Sequence, residues 1–183
     1  MTAMDAAGEG AIKTLFSAEA ITSRVDRLAS DIAATRLEDL VVVAVLKGSF
    51  IFAADLIRAL HRHGLRPEID FIYLASYDGE RTSSGAVRVL RDVESDIRGR
   101  NVVIVDDIFD SGRTLAFAKT SLETRGAARV LTCVLVDKLV PRAAGIVPDF
   151  VGFTCPPVFV VGYGLDYRNR YRELPFIGEL AEG

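Results

Sequence analysis

Residues 102–115 read Val102-Val103-Ile104-Val105-Asp106-Asp107-Ile108-Phe109-Asp110-Ser111-Gly112-Arg113-Thr114-Leu115. The four β-branched residues Val102–Val105 are too short a run for a helix core and match a strand buried on both faces. Two carboxylates, Asp106 and Asp107, stand at its carboxyl end. A short polar loop with Asp110, Ser111, Gly112 and Thr114 then leads into a helical pattern from Thr114 to Arg125, with Gly126 at its end. Open parallel sheets bind ligands at the carboxyl ends of their strands, so the carboxylates and the loop lie on the ligand side. Amides at a helix N-terminus favour an anion, because they lack helical partners and the helix dipole adds positive potential. Gly112 lets the backbone come close. The segment offers acceptors for hydroxyls or a magnesium ion at one end and donors for a phosphate at the other. A sugar phosphate has that polarity.

The flanking sequence repeats the alternation. Leu40–Leu46 is a valine-rich strand broken by Lys47-Gly48-Ser49, and Phe50–His61 reads as a helix that stops at Gly64. Upstream, Ile21, Val25, Leu28 and Ile32 form one apolar helical face with Ser17 as its N-cap. Further strands are expected at Pro67–Ser76, Val87–Leu90, Arg129–Asp137, near Asp149–Phe153 and at Phe159–Val161, with a turn at Gly99. Asp78–Gly85 is polar, glycine-bounded and aperiodic, which predicts a mobile loop. Apolar strands alternating with helices predict an α/β fold, a mainly parallel central sheet flanked by helices. The small-residue start predicts a disordered tail over residues 1–12.

Composition narrows the function classes. The 183 residues suit one domain. Half are hydrophobic and 26% charged, as in a globular protein. With 22 basic and 25 acidic residues the net charge is −3, which argues against broad affinity for nucleic acid or acidic membranes. The longest apolar run, Leu40–Leu46, is far short of the roughly 20 residues a membrane helix needs. Met1–Gly10 lacks a secretory pattern, and Cys133 and Cys155, each in an apolar segment, fit buried thiols in a reducing cytoplasm. His61 and His63, two residues apart on a helix, face different sides and suit no metal site.

Other readings of the acidic segment fit less well. Solvated aspartates before a capped helix would leave the full constellation unexplained. The aspartate-rich motif of isoprenoid diphosphate synthases sits on a helix, whereas here a β-branched strand leads in and Ser-Gly follows. No window matches a P-loop, and Gly162-Tyr163-Gly164 lacks the third glycine of a dinucleotide fingerprint.

The Asp106–Thr114 segment resembles the phosphoribosyl diphosphate motif of type I phosphoribosyltransferases. Further stretches resemble the hypoxanthine-guanine branch: Leu46–Phe50, Ala75–Tyr77, Val136–Lys138, Pro148–Phe153 and Phe159–Tyr167, with Arg172 beyond. The likeness runs in order from about Val41 to Glu179. It implies the type I phosphoribosyltransferase fold as a single domain over 1–183, with a small hood subdomain, residues 148–183 being part of the hood and purine-binding region, and a flexible lid loop. The implied reaction joins a 6-oxopurine, hypoxanthine or guanine, to 5-phosphoribosyl 1-diphosphate in purine salvage. A relative acting on xanthine or a pyrimidine, and an RNA-binding regulator that keeps the fold, stay open as alternatives.

By matching position, the resemblance implies that Asp106 and Asp107 hold the ribose hydroxyls, directly or through Mg2+, and that Asp166 binds magnesium beside the diphosphate. Asp110 is implied as the general base near purine N7, and Asp110, Ser111, Gly112, Arg113 and Thr114 as the phosphate cradle, with Arg113 acting through its backbone. Lys47, Gly48 and Arg172 would contact the diphosphate; members often carry a cis non-proline peptide at the Leu46–Lys47 step. Lys138 would donate to the purine 6-oxo group, Phe159 would stack on the ring, and Val160 and Val161 would offer backbone groups to its edge. Ser76 and Tyr77 would head the lid. A cytoplasmic homo-oligomer, dimer or tetramer, is also implied.

Overall fold

The computed structural model describes residues 12–76, 87–142 and 145–181. Its elements run β1 (Ile12–Phe16), α1 (Ala18–Ala34), β2 (Leu40–Leu46), α2 (Phe50–Arg62), β3 (Glu68–Ser76), β4 (Val87–Arg91), β5 (Asn101–Phe109), α3 (Arg113–Thr124), β6 (Arg129–Lys138), β7 (Phe150–Cys155), β8 (Val160–Val161) and β9 (Ile177–Leu180). The expected α/β architecture is present. Six strands form one sheet in the order β4-β3-β2-β5-β6-β7. All its pairings are parallel except β3 with β4.

Side chains from alternate positions of the central strands go to opposite faces, as strand geometry requires. Val42, Ala44, Val103 and Val105 pack against α1 and α2, where Ile21, Leu28, Phe52 and Leu56 are buried. Val41, Val43, Val102 and Ile104 pack on the other face with Leu115, Ala118 and Leu122 of α3. A sheet covered on both sides must be apolar on both, which explains the unbroken valine runs. Helix α1 begins where expected: the Ser17 hydroxyl accepts from the Ala20 amide at 3.3 Å. Gly64 and Gly126, just past α2 and α3, have φ of +87° and +89°, the left-handed conformation that ends a helix.

The strand order places the site. From β2 the chain steps to β3 on one side, then returns to β5 on the other and continues to β6. The loops leaving β2 and β5 therefore diverge and open a crevice between their carboxyl ends.

Two expectations need correction. Ile12, assigned to the disordered tail, opens β1, which pairs antiparallel with β9 from Ile12↔Leu180 to Phe16↔Ile177. A five-residue strand whose partner lies some 165 residues away carries no local signal. The stretch 148–183 was assigned to the hood, but β7 within it is the edge strand of the large sheet, paired with β6. The small sheet instead has the order β1-β9-β8 and draws on both ends of the described chain. Phe16 stacks on Phe153 with ring centroids 4.2 Å apart, joining β1 to the large sheet. Tyr77 and the Asp78–Gly85 loop lie outside the described residues, as do residues 1–11 of the predicted tail.

Phe52 is fully buried between α2 and the sheet. Phe52→Ala is expected to lower unfolding free energy by about 3–5 kcal/mol in urea titration; a loss under about 1 kcal/mol would mean that this face is not the close-packed core described.

Candidate active site

At the β2–β5 crevice lies a cavity of about 400 Å3. Lys47 and Gly48 line it from the loop after β2, and Asp106, Asp107 and Thr114 from β5 and the start of α3. Asp166 and Arg172 reach it from the turn region that follows β8. Residues spread over more than 120 positions of sequence thus share one wall-to-wall space.

Backbone approach makes this possible. A Cβ on Gly48 would overlap the carboxylate of Asp107, and a Cβ on Gly164 would overlap the carbonyl oxygen of Gly48. Gly164 also has φ of +102°, a conformation that disfavours side chains. The Leu46–Lys47 peptide bond is cis. The loop after β2 is therefore sandwiched between the end of β5 and the turn that carries Asp166.

The two helices that begin at the crevice start without side-chain caps. The N-cap of α2 is Ser49, whose buried hydroxyl donates back to the Val45 carbonyl at 2.6 Å and caps nothing. The N-cap of α3 is Gly112, at φ +80°. Asp110 therefore does not cap the helix. With no side chain in that role, the first amides of α3 face the crevice side as anion donors. Gly112 sits against the Phe109 ring, which is buried beneath the loop.

Asp106 is 6% exposed. Burial, and then the adjacent Asp107 carboxylate, push its carboxyl well above the usual carboxylate range. Burial also raises Asp107, against the pull of the Arg172 charge. Asp106 accepts from the Asp107 amide at 3.0 Å, and Asp107 from the Ile108 amide at 2.9 Å. A buried carboxylate beside a half-buried one, both raised from the usual carboxylate range, suits hydroxyl donors or a hard cation, either of which relieves their repulsion. Among the described residues no three His, Cys, Asp or Glu side chains converge as a preformed metal cage. Magnesium commonly takes one or two protein carboxylates and fills its shell with water and substrate oxygens, so the oxygen-only set of Asp106, Asp107 and Asp166 fits that ion. Asp166 is fixed from two sides: Arg172 pairs with it at 2.6 Å, and the Asn169 amide donates to it at 2.7 Å.

Asp110 and Lys138 form a second cluster at the ends of β5 and β6. The Lys138 ammonium lies 3.5 Å from the exposed Asp110 carboxylate. Phe159 is 44% exposed and meets Tyr167 edge to face with centroids 5.6 Å apart. Val160 and Val161 are buried in β8. Arg113 is exposed at the first position of α3, Ser111 is half-buried, and Ser76 ends β3.

Three residues at the site were not anticipated. Tyr73 lines the cavity beneath Lys47, whose ammonium is 5.8 Å from the ring centroid. Its position near the carboxyl end of β3 was a usable signal. Asn169 also lines the cavity, at φ +63°; an asparagine inside a polar run suits that left-handed turn. Arg142 donates to the Asp110 carbonyl at 2.6 Å and the Phe109 carbonyl at 3.3 Å, stacks over the Phe109 ring and pairs with Asp137. Nothing local distinguished it from a surface arginine.

Comparison with known proteins gives a concordant picture. A family model described as phosphoribosyl transferase domain matches residues 11–168. The chain is 42% identical over 179 residues to hypoxanthine-guanine phosphoribosyltransferase of Mycobacterium avium, covering 93% of this chain and 87% of that protein. It is 40% identical over 169 residues to the protein of the same name from Bacillus subtilis (strain 168), covering 92% of each. A mutant of hypoxanthine phosphoribosyltransferase from Trypanosoma cruzi, solved as a ternary substrates complex, is 41% identical and superposes with a TM-score of 0.87, over 92% of this chain and 95% of that one.

The buried acidic pair sets a pH dependence. Both folded-state pKa values are raised, so the stability tied to them is complete below about pH 4 and is lost as pH rises through the raised values. Asp106→Asn keeps the acceptor oxygen and removes the charge. The ligand-free variant is expected to melt higher than wild type at about pH 8, with the gap closing toward about pH 4. A variant less stable than wild type at the higher pH contradicts the assignment.

Proposed function

The chain belongs to the phosphoribosyl transferase family, and we propose that it transfers the 5-phosphoribosyl group from 5-phosphoribosyl 1-diphosphate to hypoxanthine, and to guanine, in purine salvage. The products are the nucleoside monophosphate and diphosphate. The observation that carries this reading is the meeting of Lys47-Gly48, Asp106-Asp107, Thr114, Asp166 and Arg172 around one cavity at the strand-order reversal. Cations and amides suit a diphosphate, carboxylates suit ribose hydroxyls and an uncapped helix suits a phosphate, the groups that the substrate carries.

The Asp110–Thr114 loop receives the 5-phosphate, with the uncapped α3 amides as donors. Asp106 and Asp107 take the ribose hydroxyls. Lys47, the Gly48 backbone and Arg172 take the diphosphate. Asp166, Asp106 and Asp107 are the residues that would hold magnesium, which when bound would supply charge neutralisation for the diphosphate.

The Asp110–Lys138 pair suits the purine. An acceptor and a donor a few ångströms apart match N7–H and the 6-oxo group, which are neighbours on one edge of an oxopurine. Asp110 takes the N7 proton as the N9 electron pair bonds to ribose C1 and the C1–O bond to diphosphate breaks. Lys138 holds the 6-oxo oxygen; adenine would turn an amino donor toward it, a mismatch when desolvated. Phe159, half-exposed beside Tyr167, supplies the stacking face, and the β8 backbone at Val160 and Val161 the remaining edge. Arg142 and Lys138 together hold the base segment, one by its main chain and one by its carboxylate.

The whole chain works as one domain, with Ser76 and Tyr77 leading into the lid. No helix among the described residues is long and apolar enough to cross a membrane. Cys133 and Cys155 are free and buried. A cytoplasmic homo-oligomer, dimer or tetramer, fits this reading.

A spectrophotometric assay with phosphoribosyl diphosphate, magnesium and, separately, hypoxanthine, guanine, xanthine, adenine and uracil tests it. Turnover is expected with hypoxanthine and guanine, and Asp110→Asn is expected to lower kcat by about 10²–10⁴-fold. Turnover of uracil alone, or of no base by folded protein, overturns the assignment.

A further inference from the structure

The turn Gly162-Tyr163-Gly164 has positive φ at all three residues, +99°, +51° and +102°. Glycines adopt this freely, but a tyrosine does so only against a steric penalty on its Cβ. Tyr163 is nevertheless 7% exposed, with its ring in the core cluster beside α1 and α2. Its hydroxyl reaches out of that cluster and donates to the Asp55 carboxylate of α2 at 2.6 Å, across 108 residues of sequence. The other Asp55 oxygen is taken by Arg58 at 3.0 Å, so the acceptor is oriented before the phenol arrives. Burial, and then the bond to Asp55, push the phenol well above its usual pKa, so it stays a donor.

What this bond holds is next to the diphosphate groups. Asp55 lies in the helix that starts from the Lys47–Ser49 loop. Tyr163 is flanked by Gly164, whose Cα rests on the Gly48 carbonyl. The Gly164 amide donates to the Arg172 carbonyl at 3.0 Å, and its carbonyl accepts from the Arg172 guanidinium at 2.6 Å. The same guanidinium pairs with Asp166. Moving the turn away from α2 would move Gly164, and with it the side chains of Arg172 and Asp166, relative to Lys47 and Gly48.

We propose that the Tyr163–Asp55 bond is a positioning latch that sets the two halves of the diphosphate subsite, the loop after β2 and the Asp166–Arg172 turn, at binding distance. The inference rests on the diphosphate role proposed above. Neither residue lines the cavity, so both act through others. Asp110 and Lys138 hang from the ends of β5 and β6, whereas β8, with the other proposed purine contacts, leads directly into the turn.

The test uses Tyr163→Phe, which keeps the buried ring, and Asp55→Asn, a half-exposed site where folding is secure. In each, KM for phosphoribosyl diphosphate is expected to rise on the order of tenfold, the effect of one hydrogen bond to a charged group. The KM for hypoxanthine is expected to rise less than that for phosphoribosyl diphosphate, because Asp110 and Lys138 stand on other strands. Calorimetric Kd for magnesium diphosphate alone is expected to weaken by the same factor, and the double variant to be no worse than either single one. A lower Tm with unchanged KM and Kd would reduce the bond to a structural contact and overturn the proposal, as would equal losses in both KM values. If wild type turned over no oxopurine yet bound magnesium diphosphate, and the variants weakened that binding, the substrate assignment would fail and the latch would stand.

Discussion

The Cα of Gly48 rests against the Asp107 carboxylate, and the Cα of Gly164 rests on the Gly48 carbonyl. No side chain fits at either contact, so the Gly48 backbone is held between the Asp107 side chain and the Gly164 backbone. The rest of the site depends on this stack. It brings the loop that starts α2, the end of β5 and the turn before β9 to one cavity. It also places the half-buried Asp107 beside the buried Asp106. The large sheet supplies the platform: its strand order reverses between β2 and β5, and the stack fills the gap that reversal opens.

Stability has been conceded at this crevice. Helix α1, remote from it, has a serine cap and a glutamate in its first turn, both favourable to the helix dipole. Helices α2 and α3, which begin at the crevice, have neither a side-chain cap nor an acidic first turn, and α3 begins with Arg113. Cations near a helix N-terminus oppose the dipole. Together with the buried acidic pair, these are local defects that an anionic substrate and a cation would correct on binding. Such defects at one point of an otherwise consistent fold mark a functional site.

The cluster at the ends of β5 and β6 is arranged differently. Its groups are polar, partly exposed and mutually satisfied. Lys138 neutralises Asp110, while Arg142 ties down the main chain of Phe109 and Asp110 and is itself neutralised by Asp137. A carboxylate held by its own main chain can exchange one partner for another without moving. The crevice and this cluster thus differ in kind: one carries a strained acidic pair and uncapped helix starts, the other a mutually neutralised ion pair.

Local sequence was enough for the elements whose information is local. The Val102–Val105 run, the Ser17 cap, the terminating Gly64 and Gly126 and the polar loop from Asp110 to Gly112 act within one element or one turn, so their reading as strand, helix start, helix end and loop survived, with the helix taking up Arg113 and Thr114. Repeated alternation was likewise enough for a covered parallel sheet. Tertiary structure alone decided the pairing of β1 with β9 and the placing of β7 in the large sheet. It alone decided the stacking of Gly48 between Asp107 and Gly164, the grip of Arg142 on Asp110 and the bond from Tyr163 to Asp55. Each of these joins distant residues or depends on how a loop folds back. Propensity and periodicity act over a few neighbours, whereas such contacts exist only once the core has set the distance between segments that the chain keeps apart.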